Sequence, residues 1–119
     1  MESYRELIVW QKSRKFVVGI YRLTDQFPKS EMFGLISQMR RAAVSIPANI
    51  AEGYSRKHRA EYIQFLRIAY GSGAELETYC GLMLDLGYVT KEKSAEFEEA
   101  LAEIMRMLNK LISSLAIKK

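Results

Sequence analysis

The residues to weigh first for chemistry are the single histidine and the single cysteine. His58 and Glu61 stand three apart, a spacing that places two ligands on one helix face. A di-iron bundle needs Glu-x-x-His pairs together with further glutamates from other helices. A sole histidine rules out a multi-histidine metal site within one copy. His58 also lies in the basic run RKHR, which repels a cation, so it reads as a solvated turn residue. Cys80 stands beside Tyr79 and near Met83, with no histidine on the same segment to activate a thiolate. It reads as a small buried hydrophobe. Asn49 and Glu52 suggest acid–base work, but a lone carboxylate among arginines reads as an ion pair. Glu52 is expected to pair with Arg41 or Arg56, within its own helix or across a subunit boundary. Glu75 and Glu77 are two apart and point to different faces, so they form no dyad. The glycine-rich GSGAE, residues 71–75, lacks the preceding strand and the following lysine of a phosphate loop. Its two mid-helix glycines fit a tight helix crossing better. No catalytic constellation, metal site or cofactor is expected, and the chain is not expected to be an enzyme.

Basic residues form a more promising pattern. Lys12, Arg14, Lys15 and Arg22 fall along the first segment, and Arg56, Lys57, Arg59 and Arg67 surround the start of the third. Arginine presents a planar fork suited to phosphate, and several such residues give salt-dependent, sequence-tolerant binding. Residues 1–67 hold twelve Lys and Arg against six Asp and Glu, whereas residues 68–119 hold six against eight. The formal net charge of +4 is therefore concentrated in the first half. That asymmetry suggests an anionic partner for one side of the molecule. These eight residues are the candidates for nucleic-acid contact. Trp10 could stack on a base, though packing at the bundle end or at a subunit interface suits its position better.

These side chains must be positioned by helices. Apolar residues recur at alternating spacings of three and four in each quarter of the chain, and no stretch shows strand alternation. The stripes run Val9, Ser13, Phe16, Ile20, Leu23, Phe27; then Met32, Ile36, Met39, Ala43, Ile46, Ile50, Gly53. The third runs Tyr62, Phe65, Ala69, Ser72, Leu76, Tyr79, Met83, Leu86, and the fourth Phe97, Leu101, Ile104, Leu108, Leu111, Leu115. Helices are predicted over about 8–27, 31–55, 59–86 and 91–115. Ser30 is expected to cap the second, with Glu31 near its positive end. Gly53 and the run SRKHR mark the second break. Gly87 is expected to end the third helix in a left-handed cap, and Thr90 to cap the fourth. Short connections force neighbouring helices antiparallel. The expected fold is all-α: an up-down-up-down antiparallel four-helix bundle, with helix 2 kinked at Pro47.

That proline costs a helix interior roughly 3 kcal/mol, because it removes a donor and crowds the Ala43 carbonyl. The helix around it has three faces where a lone bundle needs two. Beside the core stripe lie a polar face, with Gln38, Arg41, Ser45, Asn49, Glu52 and Arg56, and a small apolar face, with Val44, Pro47, Ala48 and Ala51. The extra faces predict a subunit interface. Small side chains allow close approach, and polar pairs fix register. Ser45 is a candidate partner for the carbonyl that Pro47 frees. The interface candidates are Arg41, Val44, Ser45, Pro47, Ala48, Asn49, Ala51 and Glu52.

A length of 119 residues predicts one domain with a self-sufficient core, and 49% hydrophobic content is that of a globular chain. One cysteine allows no intrachain disulfide and suits a reducing compartment. The beginning MESYRELIVW lacks the basic-then-apolar pattern of a signal peptide, and no apolar run reaches a membrane span. A cytoplasmic location with no membrane partner is expected.

VWQK, FPKSEMFGLISQMRRAAVSIPANIAEGYSR, EYIQFLRIAYGSGAELE and the closing LGY resemble a bacterial four-helix-bundle family. That family is named for the 23S ribosomal RNA intervening sequences that encode some members. The likeness runs from about Leu7 to Leu115, and SIPANIAEG followed by GSGAELE is its most specific part. His58 departs from the pattern, standing where a small capping residue such as serine often sits. The chain also resembles, more distantly, the accessory variability determinant proteins of diversity-generating retroelements. Those are barrel-shaped homopentamers that bind nucleic acid and a reverse transcriptase. The resemblance implies a homo-oligomer, a pentamer, with a role connected to RNA. Together with the charge pattern, it gives the expected function: a non-enzymatic scaffold binding RNA or an RNA–protein complex through repeated basic patches. The alternative is a protein–protein adaptor that recruits a partner such as a polymerase or reverse transcriptase.

Overall fold

Four helices account for most of the chain in the computed structural model, which describes residues 2–117. They are α1 (Ile8–Thr24), α2 (Leu35–Ser55), α3 (Arg59–Asp85) and α4 (Lys91–Ile117), with short 3-10 turns at Tyr4–Glu6 and Lys29–Glu31. Helices adjacent in sequence pack side by side, and α4 closes back on α1, giving an antiparallel four-helix bundle. The rod measures 48 × 23 × 20 Å. The tightest seam joins α2 to α3 and the loosest joins α1 to α4. Along the loose seam Leu7, Val9, Met107 and Leu111 line a shallow apolar groove.

The core follows the helical period. Ile20 of α1, Met39, Ile46 and Ile50 of α2, Leu66, Leu76 and Met83 of α3, and Leu101, Ile104 and Leu108 of α4 are fully buried. Burial of each such side chain is worth about 1.5–3 kcal/mol. The stripe of α3 is rotated from the expected one. Leu66 and Cys80 are completely enclosed, whereas Tyr79 is half-buried and Leu86 is exposed. Met32, assigned to the core stripe of α2, is exposed because it precedes the helix, on the turn.

The ends of the helices show local chemistry at work. α1 stops at Thr24, three residues short of the expected Phe27. The Thr24 hydroxyl donates to the Ile20 carbonyl at 2.7 Å, a back-bond that competes with helix continuation. Phe27 instead turns into the core, its ring 5.2 Å from that of Tyr88. α2 begins at Leu35 rather than 31, and its cap is not Ser30. Glu31 Oε1 accepts from the Leu35 N–H at 3.1 Å, and Glu31 Oε2 accepts from the Tyr88 hydroxyl at 2.6 Å. One carboxylate thus caps α2 and ties the α1–α2 turn to the α3–α4 turn. The bond from Tyr88 and that from the backbone hold the Glu31 carboxyl below its ordinary value, and the same bond raises Tyr88. Gly87 ends α3 with φ +76°, while Tyr88 N–H bonds the Met83 carbonyl and Gly87 N–H the Leu84 carbonyl. Thr90 caps α4 by accepting from the Lys93 N–H at 3.1 Å. α2 continues as one helix through Pro47.

Candidate nucleic-acid and subunit interface

The antiparallel order brings the start of α1 and the α2–α3 turn to the same end of the rod. Arg56, Lys57 and Arg59 stand at that end, Lys57 and Arg59 beside Leu115 of α4, whereas Lys12 and Lys15 lie mid-rod beside Ala100 and Glu103 of α4; these five and Arg14 are all exposed. Arg67 is also exposed, roughly 12 Å further along α3 at the usual helical rise. Arg22 is exposed too, but two turns further along α1, toward the opposite end. The eight basic candidates thus divide into Arg56, Lys57 and Arg59 at one end and five others spread along α1 and α3.

Their charges are not equally free. Lys12 Nζ pairs with Glu103 of α4 at 3.3 Å. The Arg14 guanidinium lies over the Trp10 ring, 5.3 Å from its centre. Trp10 itself is half-buried against the core and meets Tyr4 edge-on at 5.2 Å, which settles it as a packing residue at the bundle end. Arg56 Nε pairs with Glu52 Oε2 at 2.9 Å and its guanidinium covers the Phe65 ring. Of the two partners expected for Glu52, the structure selects Arg56. Lys57 sits at φ +64°, a left-handed conformation in which the chain reverses into α3. His58 has extended backbone and gives α3 its N-cap position without a side-chain bond. Among the described residues, Lys15, Lys57, Arg59 and Arg67 make no ion pair.

The outer side of α2 divides in two. Val44 is 41% exposed, Ala48 is exposed, and Pro47 and Ala51 are half-buried, so the small apolar face does look outward. Arg41 and Glu52 are exposed beside it. Ser45 and Asn49 are not available in the same way. Asn49 Nδ2 donates to the Ser45 carbonyl at 2.8 Å and to the Ser45 hydroxyl at 2.9 Å. The Ser72 hydroxyl of α3 donates to Ser45 Oγ at 2.8 Å. Ser45 thus ties α2 to α3 within one copy, and Asn49 is held beside it on α2. In sequence, a polar stripe looks the same whether a sister helix or a sister subunit faces it.

Burial pushes the Cys80 thiol up to about 12, with Glu98 and Glu77 adding to the effect. At neutral pH it stays a thiol and packs as a hydrophobe. Among the described residues, no three His, Cys, Asp or Glu side chains gather as a metal site. None of the described helices is long and apolar enough to cross a membrane.

The profile of the family described as 23S rRNA-intervening sequence protein matches residues 5–110. The chain belongs to that family. A crystal structure of a protein with unknown function from the S23 ribosomal protein family of Bacteroides thetaiotaomicron VPI-5482 has the same fold. It is 30% identical and superposes with a TM-score of 0.83, over 89% of this chain and 96% of that one. No curated protein matches the chain. In this member of the family, two features lie outside the site residues expected from sequence. Phe33 is 96% exposed, and Arg40 is locked onto α1 through Thr24 and Tyr21. Neither periodicity nor charge counting could find them, since both depend on where α2 starts.

Proposed function

We propose that the protein is a non-enzymatic scaffold that assembles with copies of itself and binds RNA through repeated basic ends. The observation that supports it is the group Arg56, Lys57 and Arg59 exposed at one end of the rod, with Lys12, Arg14 and Lys15 exposed further along α1. Such a cluster attracts phosphate without reading bases. Copies joined through the outward face of α2, with Val44, Pro47, Ala48 and Ala51 at its centre, would repeat the cluster and raise its effective concentration. Resemblance to the pentameric accessory proteins supports a closed ring, a pentamer, and a cytoplasmic setting fits a single reduced cysteine.

Affinity for RNA is expected to fall steeply with salt. Replacing Arg56, Lys57 and Arg59 together with glutamate should weaken binding and lower the salt slope by about one per lost phosphate contact. All three are exposed, so the circular dichroism of the bundle should not change. Binding by the triple variant at wild-type strength would refute the reading. A protein-recruiting adaptor is the second reading, favoured by Ile68, Leu82 and Leu86, which are 46%, 42% and 53% exposed on or just beyond α3. A protein partner retained through nuclease and high salt would select it.

A further inference from the structure

Phe33 is the most exposed large apolar side chain among the described residues, at 96%. It does not belong to a loose loop. Gly34 N–H bonds the Glu31 carbonyl at 3.0 Å, Leu35 N–H bonds the Glu31 carboxylate, and Tyr88 bonds that carboxylate from the other turn. The turn is packed so closely that a Cβ at Gly34 would stand 2.7 Å from Glu31 Oε1. The ring is held out into water by a fixed frame, which is how a recognition element is pre-organised.

Beside it lies a shallow, open cleft of about 380 Å³ lined by Tyr21, Met32, Phe33, Ile36, Ser37, Arg40 and Arg41. The lining offers two aromatic rings, two guanidinium groups and two hydroxyls, with no carboxylate among them. Arg40 is already committed. Its Nε donates to Thr24 Oγ1 at 3.0 Å, its guanidinium stacks over Tyr21 at 4.5 Å, and Asp25 stands 3.8 Å away. It shapes the wall. Arg41 is exposed and bonds only the neighbouring Gln38 on its own helix, so its fork can turn to an incoming anion.

A ligand that presents a flat aromatic face with a negative charge on the same unit fits this lining. We propose that the cleft binds one unpaired nucleotide of an RNA strand, its base stacked on Phe33 and its phosphate held by Arg41. Base stacking needs a free base face, which a duplex does not offer. The site rests on the RNA-binding reading above and adds to it. It lies at the α1–α2 turn, at the opposite end of the rod from Arg56, Lys57 and Arg59.

The test measures binding of a labelled oligouridine and of an RNA duplex of equal length to wild type, Phe33→Ala, Phe33→Trp and Arg41→Gln. Phe33 touches so little of the fold that its removal should leave thermal stability unchanged. Phe33→Ala is expected to lose about tenfold in oligouridine affinity, with the duplex unaffected and the salt slope unchanged, because stacking releases no counterions. Phe33→Trp should restore the loss, and Arg41→Gln should lower the oligouridine salt slope by about one. Sedimentation of Phe33→Ala should give the wild-type particle mass. Equal oligouridine binding by Phe33→Ala and wild type overturns the site and leaves the RNA reading standing. A smaller particle for Phe33→Ala also overturns it, making Phe33 a contact between copies. A wild type that binds neither RNA removes both.

Discussion

Glu31 shows how much one side chain can carry. Its two oxygens cap α2 and receive the Tyr88 hydroxyl, so the end of the rod that presents Phe33 depends on its being ionised. Those bonds hold its carboxyl below the ordinary value of 4.5. A carboxyl lowered by folding stabilises the fold above its ordinary value, and that contribution is lost as pH falls through the folded one. Tyr88→Phe should therefore be less stable than wild type at neutral pH, with the difference shrinking below pH 4.5. Urea unfolding at several pH values measures this. A difference that is constant with pH would separate Tyr88 from the charge of Glu31. The sequence pointed to Glu31 only as an acid near a helix start, because its partner Tyr88 lies 57 residues away.

At the level of elements, the seam between α2 and α3 depends on a glycine. A Cβ at Gly53 would stand 2.7 Å from the Phe65 Cβ and 3.2 Å from the Tyr62 carbonyl, so the helices would have to separate. Gly53→Ala should destabilise the bundle by about 1–3 kcal/mol, as overpacking does. Gly71 is the contrast, since nothing lies within 4 Å of a Cβ there. Gly71→Ala should stabilise by about 1 kcal/mol through helix propensity alone. Urea midpoints moving in opposite directions would confirm the pair, and two losses would mean that the outer face of α3 is also occupied. The two glycines of GSGAE illustrate what sequence could and could not show. Gly73 does face another helix, at Met105 of α4, as a tight crossing requires, but Gly71 faces open space. The helix count, the Gly87 and Thr90 caps and most of the core were legible, because each follows from spacing or from a local bond. The start of α2 and the end of α1 were not, because they depend on the Thr24 back-bond and on a carboxylate shared with a distant turn. The basic residues were legible as charge, yet only the packing shows that Arg56, Lys57 and Arg59 share one end while Lys12 and Lys15 stand mid-rod beside α4.

On the scale of the molecule, the rod is asymmetric. One end carries Arg56, Lys57 and Arg59, the other carries Phe33 in its frame, and between them α2 presents Val44 and Ala48 to the outside. In the proposed assembly that face would pack against another copy. Val44→Glu with Ala48→Glu should leave the helical content intact while splitting any assembly, since both positions are exposed in the protomer. The most direct measurement is native mass spectrometry of protein purified without nuclease. The account predicts one discrete multiple of the 13.7 kDa chain, with nucleic acid attached at low salt and shed at high salt. A bare 13.7 kDa species at micromolar concentration would contradict it.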